Sequence, residues 1–101
     1  MCKLRFSFEY RAYPVWKISP DGGVSDLDHN LLPISKELKQ LITIWDNKFQ
    51  DTYIPDDPAS SNFKSIEEEK LFIKEGLILF KRLKDELPDN YRIVLCNCFK
   101  G

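Results

Sequence analysis

A chain of 101 residues with 15 basic and 16 acidic side chains, 43% hydrophobic and 31% charged residues, has the make-up of a single folded domain, 1–101, with one modest core. The net charge of −1 excludes the basic excess expected of a dedicated nucleic-acid binder, and no apolar run reaches the length of a bilayer span. The three cysteines, Cys2, Cys96 and Cys98, are too few for a disulfide scaffold; Cys96 and Cys98, on one face of a predicted strand, read as buried reduced thiols in preference to a strained disulfide, in a cytoplasmic protein with no cleavable signal segment before the first strand.

The first predicted element is a strictly alternating aromatic strand. Leu4, Phe6, Phe8 and Tyr10 share one face, and Lys3, Arg5, Ser7, Glu9 and Arg11 share the other. Tyr13 to Ile18 reads as a second strand ending at Pro20-Asp21-Gly22-Gly23, where proline presets φ and glycine supplies positive φ for a reversal. Val24 to Leu27 follows as a short third strand. A connector, Asp28 to Leu32, leads to Pro33 and a helix capped by Ser35, with Glu37 at its positive end. Leu38, Leu41, Ile42, Trp45 and Phe49 form its apolar stripe, with Ile44 outside it.

Gln50 to Lys64 changes character: aspartates, prolines and the Ser60-Ser61-Asn62 run predict a long loop. Ser65-Ile66-Glu67-Glu68 then opens a second helix as a capping box. Its predicted buried face comprises Phe72, Ile73, Gly76, Leu77, Leu79, Phe80, Leu83 and Leu87, and Pro88-Asp89-Asn90 stops it. Leu71 and Ile78, seven apart, project beside Glu67, Lys74 and Asp85 as a candidate contact patch. Tyr91 to Phe99 is the last strand. Both of its faces are apolar at the centre, which predicts an interior position in the sheet. The fold class is therefore α+β: a small antiparallel or mixed sheet, order ββ(β)ααβ, with two helices packed on one face.

No catalytic set emerges from this layout. His29 is the sole histidine and sits in a polar connector without a nucleophile to activate. Asp26, Asp28 and Asn30 with Glu37 mimic a calcium loop, but Leu31 stands where the turn requires glycine and Pro33 interrupts it. The cysteines and His29 match no compact metal knuckle, and Gly22-Gly23 opens no helix that could cradle a phosphate. The expectation is a protein without cofactor or metal, and not an enzyme. What remains is acidic: Asp21, Asp26 and Asp28 in one connection, and Asp51, Asp56 and Asp57 around Tyr53 and Ile54 in another. Such loops complement a basic protein surface, or else are simply solvated turn-formers.

The run Lys3-Leu4-Arg5-Phe6-Ser7-Phe8-Glu9-Tyr10, the Tyr13-Pro14-Val15-Trp16 strand, the Asp-Gly-Gly turn, the Pro33 helix start and the Ser65-Ile66-Glu67-Glu68-Glu69 cap resemble the small bacterial immunity proteins encoded beside polymorphic toxins. Those of contact-dependent growth inhibition systems are among them. The resemblance implies a cytoplasmic binding protein whose partner is a cognate toxin carboxy-terminal domain. The toxin's active or substrate site would be blocked; nucleases, tRNA-cleaving ones included, are the toxin class it points to. On that reading Asp26, Asp28, Tyr53, Asp56 and Asp57 form the contact surface, with Tyr53 as aromatic anchor. The protein itself would contact neither nucleic acid nor membrane and would be a monomer or weak dimer. The alternative is a small regulatory or structural adaptor that self-associates through the second helix or a sheet edge.

Overall fold

In the computed structural model, which describes residues 2–53, 63 and 65–96, four strands and two helices account for most of the chain. The strands are β1 (Cys2–Phe6), β2 (Val15–Ile18), β3 (Val24–Leu27) and β4 (Tyr91–Leu95); the helices are α1 (Lys36–Gln50) and α2 (Ile66–Glu86). The sheet order is β3-β2-β1-β4, with β1 antiparallel to β2 and parallel to β4, so the sheet is mixed. This is the α+β arrangement expected. The crossover from β1 back to β4 runs through both helices, as a parallel pairing requires.

Register assigns the faces. Leu4 pairs with Lys17 and Ile93, and Phe6 with Val15 and Leu95, which places Leu4, Phe6, Val15 and Ile93 in the core beneath the helices. Lys3, Arg5, Trp16, Arg92 and Val94 occupy alternate positions on the opposite face. The helices supply Leu38, Ile42, Trp45 and Phe49 from α1 and Phe72, Leu79 and Leu83 from α2. Both helix starts behave as the sequence requires: the Ser35 hydroxyl accepts from the Leu38 N–H and the Ser65 hydroxyl from the Glu68 N–H. Glu37 is engaged with Arg82 across the helix pair at 3.0 Å, away from the connector aspartates with which a calcium loop would unite it.

The aromatic alternation of the first strand holds for its side chains but not for its ladder. β1 stops at Phe6, and beyond it the Ser7 N–H donates to the Pro14 carbonyl at 2.8 Å. Pro14 has no N–H to return, and Arg11 turns the chain at φ 60°. The second strand accordingly begins at Val15, not Tyr13. Phe8 and Tyr10 still reach the core side. Phe8 meets Phe49 and Phe72 edge-on at 4.9 and 5.0 Å, and Tyr10 stacks on Phe49 at 4.2 Å.

Two expectations of burial and one of strand position need correction. Leu41 and Leu77 are 38% and 41% exposed, because each lies one residue off the line facing the sheet. With Ile44, Leu41 borders a shallow apolar groove of about 250 Å³ that also includes Ile78 and is floored by Trp45 and Leu79. Cys96 is half-buried, not fully so, and Cys98 falls outside the described residues. Finally, β4 is an edge strand. Its two-sided apolar pattern predicts neighbours on both sides, whereas the sheet places only β1 against it among the described residues.

Candidate functional site

The acidic connection after β3 does not stand free of the fold. Asp26 directs its Oδ2 at the Tyr13 N–H, 3.3 Å away, tying the end of the β2–β3 pair to the loop between β1 and β2. Asp28 spends its Oδ1 locally, accepting from the Asn30 N–H at 2.9 Å and from the Asn30 side chain at 3.0 Å. These bonds cap the short 3-10 turn His29–Leu31. The Asn30 backbone N–H, first among the causes, holds the Asp28 carboxyl below its ordinary range.

His29, 3% exposed, faces inward from that turn. Its Nε2 lies 2.7 Å from the Thr43 hydroxyl, which itself donates to the Lys39 carbonyl, so the ring is assigned the tautomer with hydrogen on Nε2. Burial depresses its pKa and keeps it neutral. This is a packed, hydrogen-bonded histidine beside Tyr13, ring centroids 6.0 Å apart.

The backbone of the loop from Ser7 to Pro14, whose Phe8 and Tyr10 rings pack on Phe49, is bonded to α1 by the Gln50 side chain. The Gln50 amide accepts from the Arg11 N–H at 2.9 Å and donates to the Glu9 carbonyl at 2.8 Å, an artificial strand partner for backbone that has left the sheet. This clamp closes a cleft of about 250 Å³ lined by Arg11, Ala12, Tyr13, Asp26, Asp46 and Gln50. Tyr53 flanks it: its ring lies 5.1 Å from Tyr10, and the Arg11 guanidinium sits 5.1 Å above it. The structure therefore places Asp26 and Arg11 in one cleft with Tyr53 beneath the Arg11 guanidinium, leaves Asp28 in its cap, and adds Asp46 and Gln50. Asp56 and Asp57 lie outside the described residues.

Asp46 carries the chemistry of this cleft. Burial pushes its pKa up to about 6, opposed only by a 3.3 Å hydrogen bond from Gln50. No lysine or arginine among the described residues pairs with it; the ion pairs are Lys48–Glu75 and Arg82 with Glu37 and Glu86. The position is readable in hindsight, since Asp46 follows Ile42 by four residues and precedes Phe49 by three, a carboxylate on the margin of the apolar stripe.

An acid whose folded pKa is raised from 3.8 favours the protonated fold. Its contribution to stability is present below pH 3.8 and is lost as pH rises through about 6. Asp46→Asn keeps an acceptor for Gln50 and removes the ionised form. The variant is expected to be more stable than the parent at pH 7.5 by roughly 1 kcal/mol after allowing for solvent screening, with no advantage at pH 4. Urea unfolding at the two pH values measures it; an equal gain at both would mean that ionisation is not the cause.

Among the described residues no helix is long and apolar enough to cross a membrane, and no three of the histidines, cysteines and carboxylates gather as a metal site. Comparison with curated proteins finds no match. The family described as Serratia CdiI immunity protein-like matches residues 2–97, nearly the whole length, and the chain belongs to that family of contact-dependent growth inhibition immunity proteins.

Proposed function

We propose that this chain acts in the cytoplasm by binding the carboxy-terminal toxin domain encoded immediately upstream of it and covering that domain's active or substrate site, with a nuclease, tRNA-cleaving or otherwise, as the toxin. Membership of the immunity family supports neutralisation by binding in place of catalysis. The observation that carries the surface assignment is the Asp46 carboxylate: half-buried, ionised at neutral pH against its burial cost, and paired with no cation among the described residues. A lysine or arginine from a basic nuclease cleft is the group that completes it. Asp26 lines the same cleft and Tyr53 offers an aromatic flank, and on this reading the charges of Asp28, Asp56 and Asp57 help to steer a basic partner.

Co-expression tests the reading. The upstream toxin domain alone is expected to arrest growth, and the pair to grow and co-purify. A harmless domain, or one that neither binds this chain nor is rescued by it, overturns the proposal.

A further inference from the structure

β4 has the composition of an interior strand and, among the described residues, the position of an edge. Natural edges are blunted by lysine, proline, bulges or a covering element. Tyr91-Arg92-Ile93-Val94-Leu95 has one charge, no proline and an unbroken register against β1. The Cys2 N–H donates to the Asn90 carbonyl and the Cys96 N–H to the Phe6 carbonyl, so even-numbered residues address β1. By the two-residue alternation, Ile93 and Leu95 turn both N–H and C=O to the open side. Along that side runs a groove of about 450 Å³ between β4 and α2, lined by Phe80, Lys84 and Leu87 from the helix and by the strand itself. Phe80 and Leu87 give it an apolar part, its wall is backbone unpaired among the described residues, and its described lining contains two cations and no carboxylate.

We infer that the open edge of β4 receives an extended segment of the toxin domain, added as a fifth strand, whose side chains alternate apolar and acidic. The identity of the partner rests on the immunity reading; the chemistry of the segment does not. Apolar side chains on one face of that segment cover Phe80 and Leu87. Carboxylates on the other face meet Arg92, which stands directly across the β1–β4 ladder from Lys3. That like-charge neighbour pair is unfavourable by itself, and neither member is ion-paired among the described residues. A second copy of this chain is the poorer occupant, because it brings the same Arg92 and Lys84 to the edge without a carboxylate. Backbone pairing supplies affinity in such strand addition, and the alternate side chains supply specificity.

Residue-resolved amide exchange of the labelled chain, with and without the toxin domain, tests the inference. Ile93 and Leu95 are expected to slow at least about tenfold in the complex, while Arg92 and Val94, already bonded to β1, change little. The Lys84→Glu, Arg92→Glu double variant is expected to lose at least about tenfold in affinity. A complex that forms with Ile93 and Leu95 unprotected overturns the inference, as does sedimentation showing the chain to be a dimer that protects the same two amides.

If the toxin domain does not bind, the immunity reading fails, and the edge is probed separately. The probe is a capped peptide of about six residues alternating valine and glutamate, with a valine–lysine peptide as control. Shifts at Ile93 and Leu95 with at least about tenfold preference for the glutamate peptide support the site. No shift, or no preference, overturns it.

Discussion

Trp45→Ala is expected to cost about 3–5 kcal/mol and to leave the chain largely unfolded near physiological temperature. Trp45 is 1% exposed and joins α1 to both the sheet and α2 in the aromatic core. Its indole stacks on Phe6 of β1 at 5.1 Å and on Phe72 of α2 at 4.4 Å, and meets Phe8 edge-on at 6.0 Å. Its Nε1–H donates to the Phe72 carbonyl at 2.8 Å in the interior, so the large ring is buried with its polar atom satisfied. Truncation removes the rings' contacts with both helix and sheet, and the neighbouring rings are too rigid to collapse fully into the space. For a chain of this length each kcal/mol moves Tm by about 4–8 °C, so the shift is on the order of 12–40 °C. Trp45→Phe retains most of the ring area, loses only the hydrogen bond, and is expected to cost about 1–3 kcal/mol. Urea titrations of the two variants check the order. Equal losses would show that the hydrogen bond, and not the aromatic packing, dominates at this position.

The elements that read most clearly from sequence were those whose local chemistry and burial agree. Ser35 and Ser65 cap the helices that their spacing predicts, and Leu38, Ile42, Trp45 and Phe49 face inward as their period requires. Periodicity carried less where tertiary structure redirects the backbone. Phe8 and Tyr10 keep the alternation of β1 although no ladder continues beneath them, because their rings pack on α1 while Pro14 ends the pairing. Sequence could not place Asp26 beside Asp46. The two are twenty positions apart, and their common cleft depends on Gln50 gripping Glu9 and Arg11 from the far end of a helix. Asp28 illustrates the reverse error: an acidic residue in a polar connector reads as available surface, yet one of its oxygens is committed to an Asx cap. For β4, composition predicted two strand neighbours, but strand order in a sheet is set by long-range pairing that the two-residue period does not encode, and the described residues supply one.

The cleft and the open edge of β4 sit at opposite sides of one narrow sheet, β3 being the outer strand on the cleft side. Three inter-strand steps of about 4.8 Å separate the outer strands, a span of about 14 Å that one protein surface can cover. Their chemistry is opposite too, carboxylates at one edge and Arg92 with Lys84 at the other. A partner that engages both must present a basic feature and an acidic strand in fixed relation. This polar arrangement fixes the orientation of docking and penalises a toxin carrying only one of them.

Reversal of charge at the cleft is expected to weaken toxin binding more than any other single surface change. Asp26→Lys removes an attraction, places a cation beside Arg11, and is expected to reduce affinity by about 10–100-fold, with much of the loss in the association rate and in its salt dependence. Asp46 provides a more specific signature. Its pKa of about 6 is that of a carboxylate held without a countercharge, and an incoming lysine or arginine lowers it. Binding then releases a proton as pH falls below about 6, and affinity declines by up to about tenfold per pH unit for this one group.

Asp46→Asn is expected to bind less tightly than the parent at pH 7.5, to equal it near pH 4.5, and yet to be the more stable protein at the higher pH. Titrations of the toxin and of His29 are common to parent and variant, so the difference between their pH profiles isolates Asp46. Calorimetric titration across pH 4.5–7.5 separates the cases. Profiles of the same shape in parent and variant would remove Asp46 from the contact. A variant that is more stable and more weakly binding only above pH 6 would show that the fold retains a costly charge because the toxin completes it.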